Sequence, residues 1–324
     1  MTACAVTILF VGSGCRAFEG GLAGARSPQE IAQATADFYV QDVRDDSCAV
    51  AIVGEDETFF ACAGAATRHS LFRIASLSKL FLHVVIRNLV AEGRLDLSQS
   101  VASCSTMDLP PEYEQITLQD LLQNHSGLPR EFIVAWNPAD TWTALSCGFV
   151  GTDIYRGFET RDDFARMTWR SRWRQAVRTR HEVYSNMGFG LLGATLEDTL
   201  GMPLEDLLRA ELTGPRRLSD TAYVPRGDQT NRVTRACAGH WPIIDEQLAE
   251  RSIEACSDEA VFGLLRVKDL SDGSRVLYRA GMIYGRASFV GFDFQTRTIV
   301  IILRNVTSWP DQYGFAVMER LRKT

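Results

Sequence analysis

Apolar and polar positions recur along this chain with two periods, and the period switches twice. From Pro28 to Val43 the apolar positions Ile31, Ala34 and Phe38, with Tyr39 beside them, fall at helical spacing, and Ser27 and Pro28 supply a cap and a first-turn proline. Cys48 to Val53 is an unbroken apolar run of β type. Gly54-Glu55-Asp56 makes a turn, and Thr58 to Cys62 returns, which predicts a hairpin. Leu77 to Ala91 predicts a helix that is apolar almost all round, through Leu77, Leu80, Phe81, Val84, Val85, Leu89 and Val90, and Gly93 ends it. A helix of that kind belongs in the interior. The stretch from Ile116 to about Glu205 reads as mainly helical, with Trp142, Trp169 and Trp173 and loops rich in Gly, Pro and Asp. Strand patterns come back at Val276 to Arg279, Ala287 to Phe294 and Thr298 to Leu303, with Gln295-Thr296-Arg297 as the turn between the last two. Gln312 to Arg322 reads as an amphipathic helix.

Strands near both ends and helices in the middle predict an α+β fold. The two ends form one antiparallel sheet flanked by helices, with a mainly helical lobe inserted. The sheet lobe is expected at about 28–100 and 265–324, and the helical lobe at about 101–264. A cleft between two such lobes is a natural place for a site.

Composition changes this picture little. A chain of 324 residues can build one large domain or two intimate ones. The net charge of −6, with no basic run, argues against a nucleic-acid partner. No apolar stretch is long enough to span a membrane. The histidines show no metal-ligand spacing, and the 8 cysteines include no C-x-x-C pair, so neither a metal nor an organic cofactor is expected. Cys48 and Cys62 lie at opposite ends of the predicted hairpin. They could bridge in an oxidising compartment, but buried free thiols are the favoured reading. Ala3 to Val11 followed by Gly12-Ser13-Gly14-Cys15 resembles the end of a lipoprotein signal, with Cys15 as the lipidated residue and residues up to 27 as signal and linker. No Lys or Arg precedes the run, as such signals require, so a ragged or truncated start stands beside that reading. The first makes the protein exported, periplasmic or membrane-anchored; the second leaves it cytoplasmic.

One compositional bias does bear on chemistry. Of the 34 Lys and Arg residues, only Lys79, Lys268 and Lys323 are lysine. Lys79 falls in the central apolar helix, where a solvated charge is hard to place. It lies three residues after Ser76, in Ser76-Leu77-Ser78-Lys79, so the two share a helix face. A serine hydroxyl is a poor nucleophile until a base takes its proton. Lysine can be that base where its surroundings free it of its proton; arginine cannot. Free N–H groups at the helix start favour an oxyanion there. Taken alone, the four residues fit a helix cap with a snorkelling lysine better; the apolar setting and the scarcity of lysine reverse that preference. Two weaker features follow. Tyr184-Ser185-Asn186 precedes a predicted helix at Gly188 to Leu200, and Arg279-Ala280-Gly281 ends a predicted strand, where a glycine lets a substrate backbone approach.

In this order the three triplets resemble the serine β-lactamase and penicillin-binding protein superfamily, whose nucleophile motif is S-x-x-K. The match is to the class C-like branch, in which the middle motif begins with tyrosine and which includes D-alanyl-D-alanine carboxypeptidases, esterases, peptidases and acyltransferases. Phe72 to Ser76, Glu92 to Leu97, Ile116-Thr117-Leu118 through His125-Ser126-Gly127-Leu128-Pro129, and Gly291-Phe292-Asp293 are similar to further landmarks of the family. The resemblance covers roughly Ala49 to Asn305. It implies Ser76 as the acylated nucleophile, Lys79 as its base, and Tyr184 as activator of the deacylating water. It also implies that Asn186, Arg279, Ala280 and Gly281 bind substrate, and that the backbone N–H groups of Ser76 and Met282 form the oxyanion hole. The third motif departs from the usual Lys-Thr-Gly or His-Thr-Gly: Arg279 keeps the cation, and Ala280 loses the hydroxyl. Met282, Ile283 and Tyr284 are bulkier than the small residues usual there, and Arg178-Thr179 replaces a Pro-Gly. The expected function is hydrolysis of an ester or amide, on a small-molecule or peptide substrate of cell-wall origin. Acyl transfer and a non-catalytic peptidoglycan- or partner-binding module are the alternatives.

Overall fold

The computed structural model describes residues 18–40, 47–128, 183–223, 225–232, 265–283, 286–305 and 311–324. Cys15 and the apolar run before it, Trp142, Trp169, Trp173, Arg178-Thr179, Pro129 and Tyr284 lie outside them. The named elements are α1 (Pro28–Phe38), β1 (Ser47–Val53), β2 (Thr58–Gly64), a 3-10 turn (Ala75–Leu77), α2 (Ser78–Ala91), α3 (Val101–Cys104), a second 3-10 turn (Pro111–Gln115), α4 (Leu118–Leu122), α5 (Asn186–Leu200), α6 (Leu204–Leu208) continued by a π turn (Arg209–Thr213), α7 (Gln229–Arg232), β3 (Arg266–Asp269), β4 (Arg275–Ile283), β5 (Arg286–Asp293), β6 (Thr298–Arg304) and α8 (Asp311–Leu321). The chain divides at Ser78 and Lys79 into a sheet unit, with the described residues up to 78 and those from 225 onward, and a helical unit from 79 to 223.

In the sheet unit the strands run in the order β2-β1-β6-β5-β4-β3, every neighbouring pair antiparallel. The two ends of the sequence therefore meet in one sheet, with Val50 opposite Ile302. β1 and β5 are buried along their whole length; β1 accordingly reads as a nearly continuous apolar run, whereas β5 also buries Arg286, Ser288 and Asp293. One face carries Cys48, Val50, Ile52, Val276, Phe289, Val300 and Ile302, packed against Ile31, Ala32 and Ala36 of α1 and Ala316, Val317 and Met318 of α8. The Phe289 ring sits over Gly314 so closely that a Cβ there would strike it, which accounts for a glycine inside α8. Full burial of such a ring contributes about 1.5–3 kcal/mol. Asp293, at the end of β5, accepts two hydrogen bonds from Arg322, at 2.7 and 2.8 Å, and so ties the end of α8 to the sheet.

α1 stops at Phe38 instead of reaching Val43. Its last turn tightens, with the N–H of Tyr39 bonding Ala36 and that of Val40 bonding Asp37. Tyr39 turns into an aromatic cluster with Phe18, Phe38 and Tyr313, and the Arg304 guanidinium lies 3.6 Å from its ring centroid. Cys48 and Cys62 are free. The register explains why: Cys48 faces Ala63 and Cys62 faces Ala49, so the two thiols point to opposite faces of the sheet. Burial pushes the Cys48 thiol up to about 12, which keeps it protonated and inert.

In the helical unit, α2 is buried through Phe81, Leu82, Val84, Val85, Ile86 and Leu89. It groups here rather than with the sheet, and the Asn88 side chain bonds the Glu211 carbonyl at 3.0 Å. α5 begins at Asn186, two residues earlier than its apolar pattern suggests. The Ser185 hydroxyl caps it, accepting from the Gly188 N–H at 2.8 Å. Gly201, at a φ of 63°, ends it. Among the described residues no helix is long and apolar enough to cross a membrane.

Candidate active site

Ser76 is the middle residue of the 3-10 turn that runs directly into α2. The turn is held open in an unusual way. Ala75 has a φ of 48°, in the left-handed region that disfavours any residue with a Cβ. Ile74, Ala75 and Leu77 are buried on either side, while Ser76 remains half-exposed. The buried, apolar Ile74 and Leu77 anchor the turn, and the short polar residue between them is left facing outward.

Gly281 lies on β4 against this turn. A Cβ at position 281 would come within 2.6 Å of the Ile74 carbonyl oxygen, 2.7 Å of the Ser288 hydroxyl and 2.8 Å of the Ser76 backbone nitrogen. Strand and turn therefore touch backbone to backbone, and only glycine permits it. Gly281→Ala must push the turn off the strand. The expected result is a loss of about a hundredfold in turnover, from ångström-scale displacement of the nucleophile, with about 1–3 kcal/mol of stability lost to overpacking. Ester turnover and thermal melting measure both; an alanine variant with wild-type turnover would rule out so tight a fit.

Arg279 shares the face of Gly281, two residues back, and is 8% exposed. It sits in the middle of β4, which runs on to Ile283, and not at a strand end. Ala280 points the other way. Its methyl packs with Tyr278 against the apolar layer under α1 and α8, so the side chain at 280 is not on the face of Arg279 and Gly281. The resemblance implies Ala280 as a substrate contact beside Arg279, but its side chain belongs to the opposite, core-packed face. Met282 pairs with Ala287 and is half-buried.

In the helical unit, Lys79 is the second residue of α2 and is only 5% exposed. Its Nζ donates to Asn186 Oδ1 at 2.7 Å and lies 5.0 Å from the Tyr184 ring centroid and 5.3 Å from that of Phe189. Lys79, Tyr184 and Asn186 are thus brought together from positions more than a hundred residues apart, as their motifs imply. Two residues outside the motifs, one polar and one aromatic, lie against them. Asn124, in the left-handed region at φ 58° and buried, accepts the Val183 N–H on its backbone carbonyl at 2.8 Å and the Ser185 N–H on its Oδ1 at 3.1 Å. It fixes the strand of chain that carries Tyr184. Phe189, one turn into α5, supplies the second aromatic face. Asn124 falls within the landmark that runs from Ile116 to Pro129, which is the signal that points to it; the sequence carries no signal for Phe189 beyond its place in an apolar helix.

The Ser76 hydroxyl is thus half-exposed on a turn with a left-handed residue, and the Lys79 amine is buried against a carboxamide oxygen and two aromatic rings. The family model described as Beta-lactamase matches residues 37–254. The D-alanyl-D-alanine-carboxypeptidase/endopeptidase AmpH of Escherichia coli (strain K12) is 28% identical over 183 residues, which cover 53% of this chain and 42% of that protein. The N-acetylmuramyl-L-alanine amidase of Bacillus subtilis (strain 168) is 28% identical over 163 residues, covering 48% of this chain and 34% of that protein. The chain thus matches less than half the length of these relatives. Among solved structures, the D-amino acid amidase from Ochrobactrum anthropi SV3 is similar in fold, with a TM-score of 0.69 at 17% identity, over 91% of this chain and 99% of that one.

Proposed function

The chain belongs to the beta-lactamase family, and we propose that it is a serine hydrolase that forms an acyl-enzyme on Ser76. The observation that carries this reading is the Lys79 amine. It is buried, hydrogen-bonded to Asn186 at 2.7 Å and set against the Tyr184 ring, one helical turn after a serine on a strained turn. A structural lysine gains little from such a place, whereas a base beside a nucleophile requires it.

In the first half-reaction Ser76 Oγ bonds to the substrate carbonyl carbon while its proton passes to Lys79 Nζ. The N–H groups of Ser76 and Met282 receive the oxyanion. The bond to the leaving group then breaks, and the leaving oxygen or nitrogen departs with a proton from the Lys79–Tyr184 pair. In the second half-reaction Tyr184 passes its phenol proton to the neutral Lys79 amine, the phenolate takes a proton from water as the water oxygen adds to the acyl carbon, and the acid leaves as Ser76 recovers its proton from Tyr184, which regains its own from Lys79. Asn186 holds Lys79 and orients the substrate amide.

Arg279 suits a substrate bearing a carboxylate, which its guanidinium can hold bidentately. The names of the relatives, a D-alanyl-D-alanine carboxypeptidase and an amidase of muramyl-L-alanine, favour amides of cell-wall peptides. The test is incubation with a fluorescent penicillin, a fluorophosphonate and a D-alanyl-D-alanine peptide. The expected result is a label on the peptide containing Ser76 and release of D-alanine. No label with either probe would instead support a binding module that keeps the fold.

A further inference from the structure

Ser288 lies in the middle of β5, paired with Gly281 on one side and Leu303 on the other, and is fully buried. Its hydroxyl donates to the Ile74 carbonyl at 2.7 Å, across 214 residues of sequence, and lies 3.4 Å from the Gly281 carbonyl oxygen. Ile74 immediately precedes the strained Ala75, and its carbonyl also accepts the Leu77 N–H at 3.1 Å, the bond that closes the turn around Ser76. One carbonyl thus takes both the local bond that makes the turn and a long-range bond that fixes where the turn sits. The hydroxyl reaches it only because residue 281 has no Cβ, which would otherwise stand 2.7 Å from Ser288 Oγ.

A residue in the left-handed region persists only where its surroundings over-determine it. The turn's own hydrogen bond sets its shape but not its position on the sheet. β5 is a central strand, bonded on both edges, and is a rigid base for that purpose. We propose that Ser288 is a positioning residue for the nucleophile. Through the Ile74 carbonyl it locks the Ala75–Leu77 turn against β4, so that the Ser76 hydroxyl and N–H stand where the acyl carbon and its oxygen arrive. This rests on the serine-hydrolase reading.

The experiment measures the single-turnover acylation rate constant and KM with a p-nitrophenyl ester, together with thermal melting, for wild type and Ser288→Ala. The control is Thr35→Val. Thr35 is equally buried, and its hydroxyl likewise donates to a backbone carbonyl, that of Ile31 at 2.6 Å, but within α1. Ser288→Ala is expected to slow acylation about 10- to 100-fold, because a small displacement of a reacting group is costly, with KM changed less than about threefold. Thr35→Val is expected to acylate like wild type, whatever its melting temperature. Acylation by Ser288→Ala at the wild-type rate would overturn the inference, as would equal losses in both variants. If Ser288→Ala is not recovered folded, Ser288→Cys decides, because a thiol is a weak donor of similar size. Slowed acylation at unchanged KM then supports the inference, and wild-type acylation overturns it. A wild-type protein that takes no acyl group on Ser76 overturns the hydrolase reading and the inference with it; normal acylation of wild type and variant alike overturns the inference alone.

Discussion

Ser76→Ala is expected to fold like the wild type and to lose covalent labelling and ester turnover together. The turn does not depend on the hydroxyl for its shape: its closing bond runs from the Leu77 N–H to the Ile74 carbonyl, and its strain lies at Ala75. Ser76 is half-exposed, so removal of one oxygen leaves no large cavity, and the stability change should stay within about 1 kcal/mol. The backbone N–H at position 76 survives the substitution, so substrate binding should change little. What disappears is the bond-forming atom. Loss of a serine nucleophile of this kind typically lowers kcat by roughly 10⁶-fold, leaving only the contribution of the oxyanion-binding groups. Intact-mass measurement after fluorophosphonate treatment, beside p-nitrophenyl ester turnover and a melting curve, reads all three quantities. A variant that still turned the ester over at more than a few per cent of the wild-type rate would mean that another residue carries the acyl group.

How far the fold can be read from the sequence depends on how local each cause is. β1 and β6 are buried on both faces, so their sequences are nearly unbroken apolar runs that no turn or loop would need. β3 could not be read. Arg266–Asp269 has one apolar residue, Val267, and that one is 57% exposed. Its ladder to β4 is made by backbone groups, which leave no mark on side-chain choice. β4 was read too short for a related reason. Gly281 looks like a turn residue, and its true cause, the backbone of Ile74 and Ser76 pressed against it, lies two hundred residues away in the sequence.

The site divides in the same way. Ser76 and Lys79 are one helical turn apart, so their relation is written in the spacing. Lys79 and Asn186 meet at 2.7 Å across 107 residues, and only the resemblance to a family paired their motifs. Asn124 and Ser288 went unnoticed because each acts on a backbone group, one on Val183 and Ser185 and the other on Ile74. A polar residue whose partner is a peptide unit has no complementary side chain to betray it. The side chain at 280 was misplaced because a motif was read as a line of neighbours, whereas a strand sends alternate residues to opposite faces.

Lys79→Arg is expected to be nearly as damaging as Lys79→Met, and the comparison separates a base from an electrostatic support. Both variants keep an apolar stem in the helix. Methionine removes the charge and the donor to Asn186; arginine keeps the charge and can still donate to that carboxamide oxygen. If Lys79 served only as a cation beside Ser76 and the substrate, arginine would restore most of the function. If it accepts the serine proton, arginine cannot replace it, because a guanidinium does not give up a proton under any condition in which the protein is folded. The geometry adds a steric reason. The amine sits between the Tyr184 and Phe189 rings, 5.0 and 5.3 Å from their centroids, at a place that is 5% exposed. A planar group with five donors has no room to satisfy them there. Loss of a general base typically costs about 10²–10⁴-fold, so acylation in both variants should fall by roughly that factor. Melting should rank methionine at or above arginine, because an unbranched apolar side chain is readily buried at this site while a guanidinium carries its charge into it. The readout is the single-turnover acylation rate with a p-nitrophenyl ester across pH 6 to 10, in wild type, Lys79→Arg and Lys79→Met. An arginine variant that kept a third or more of the wild-type rate would take the role of base away from Lys79.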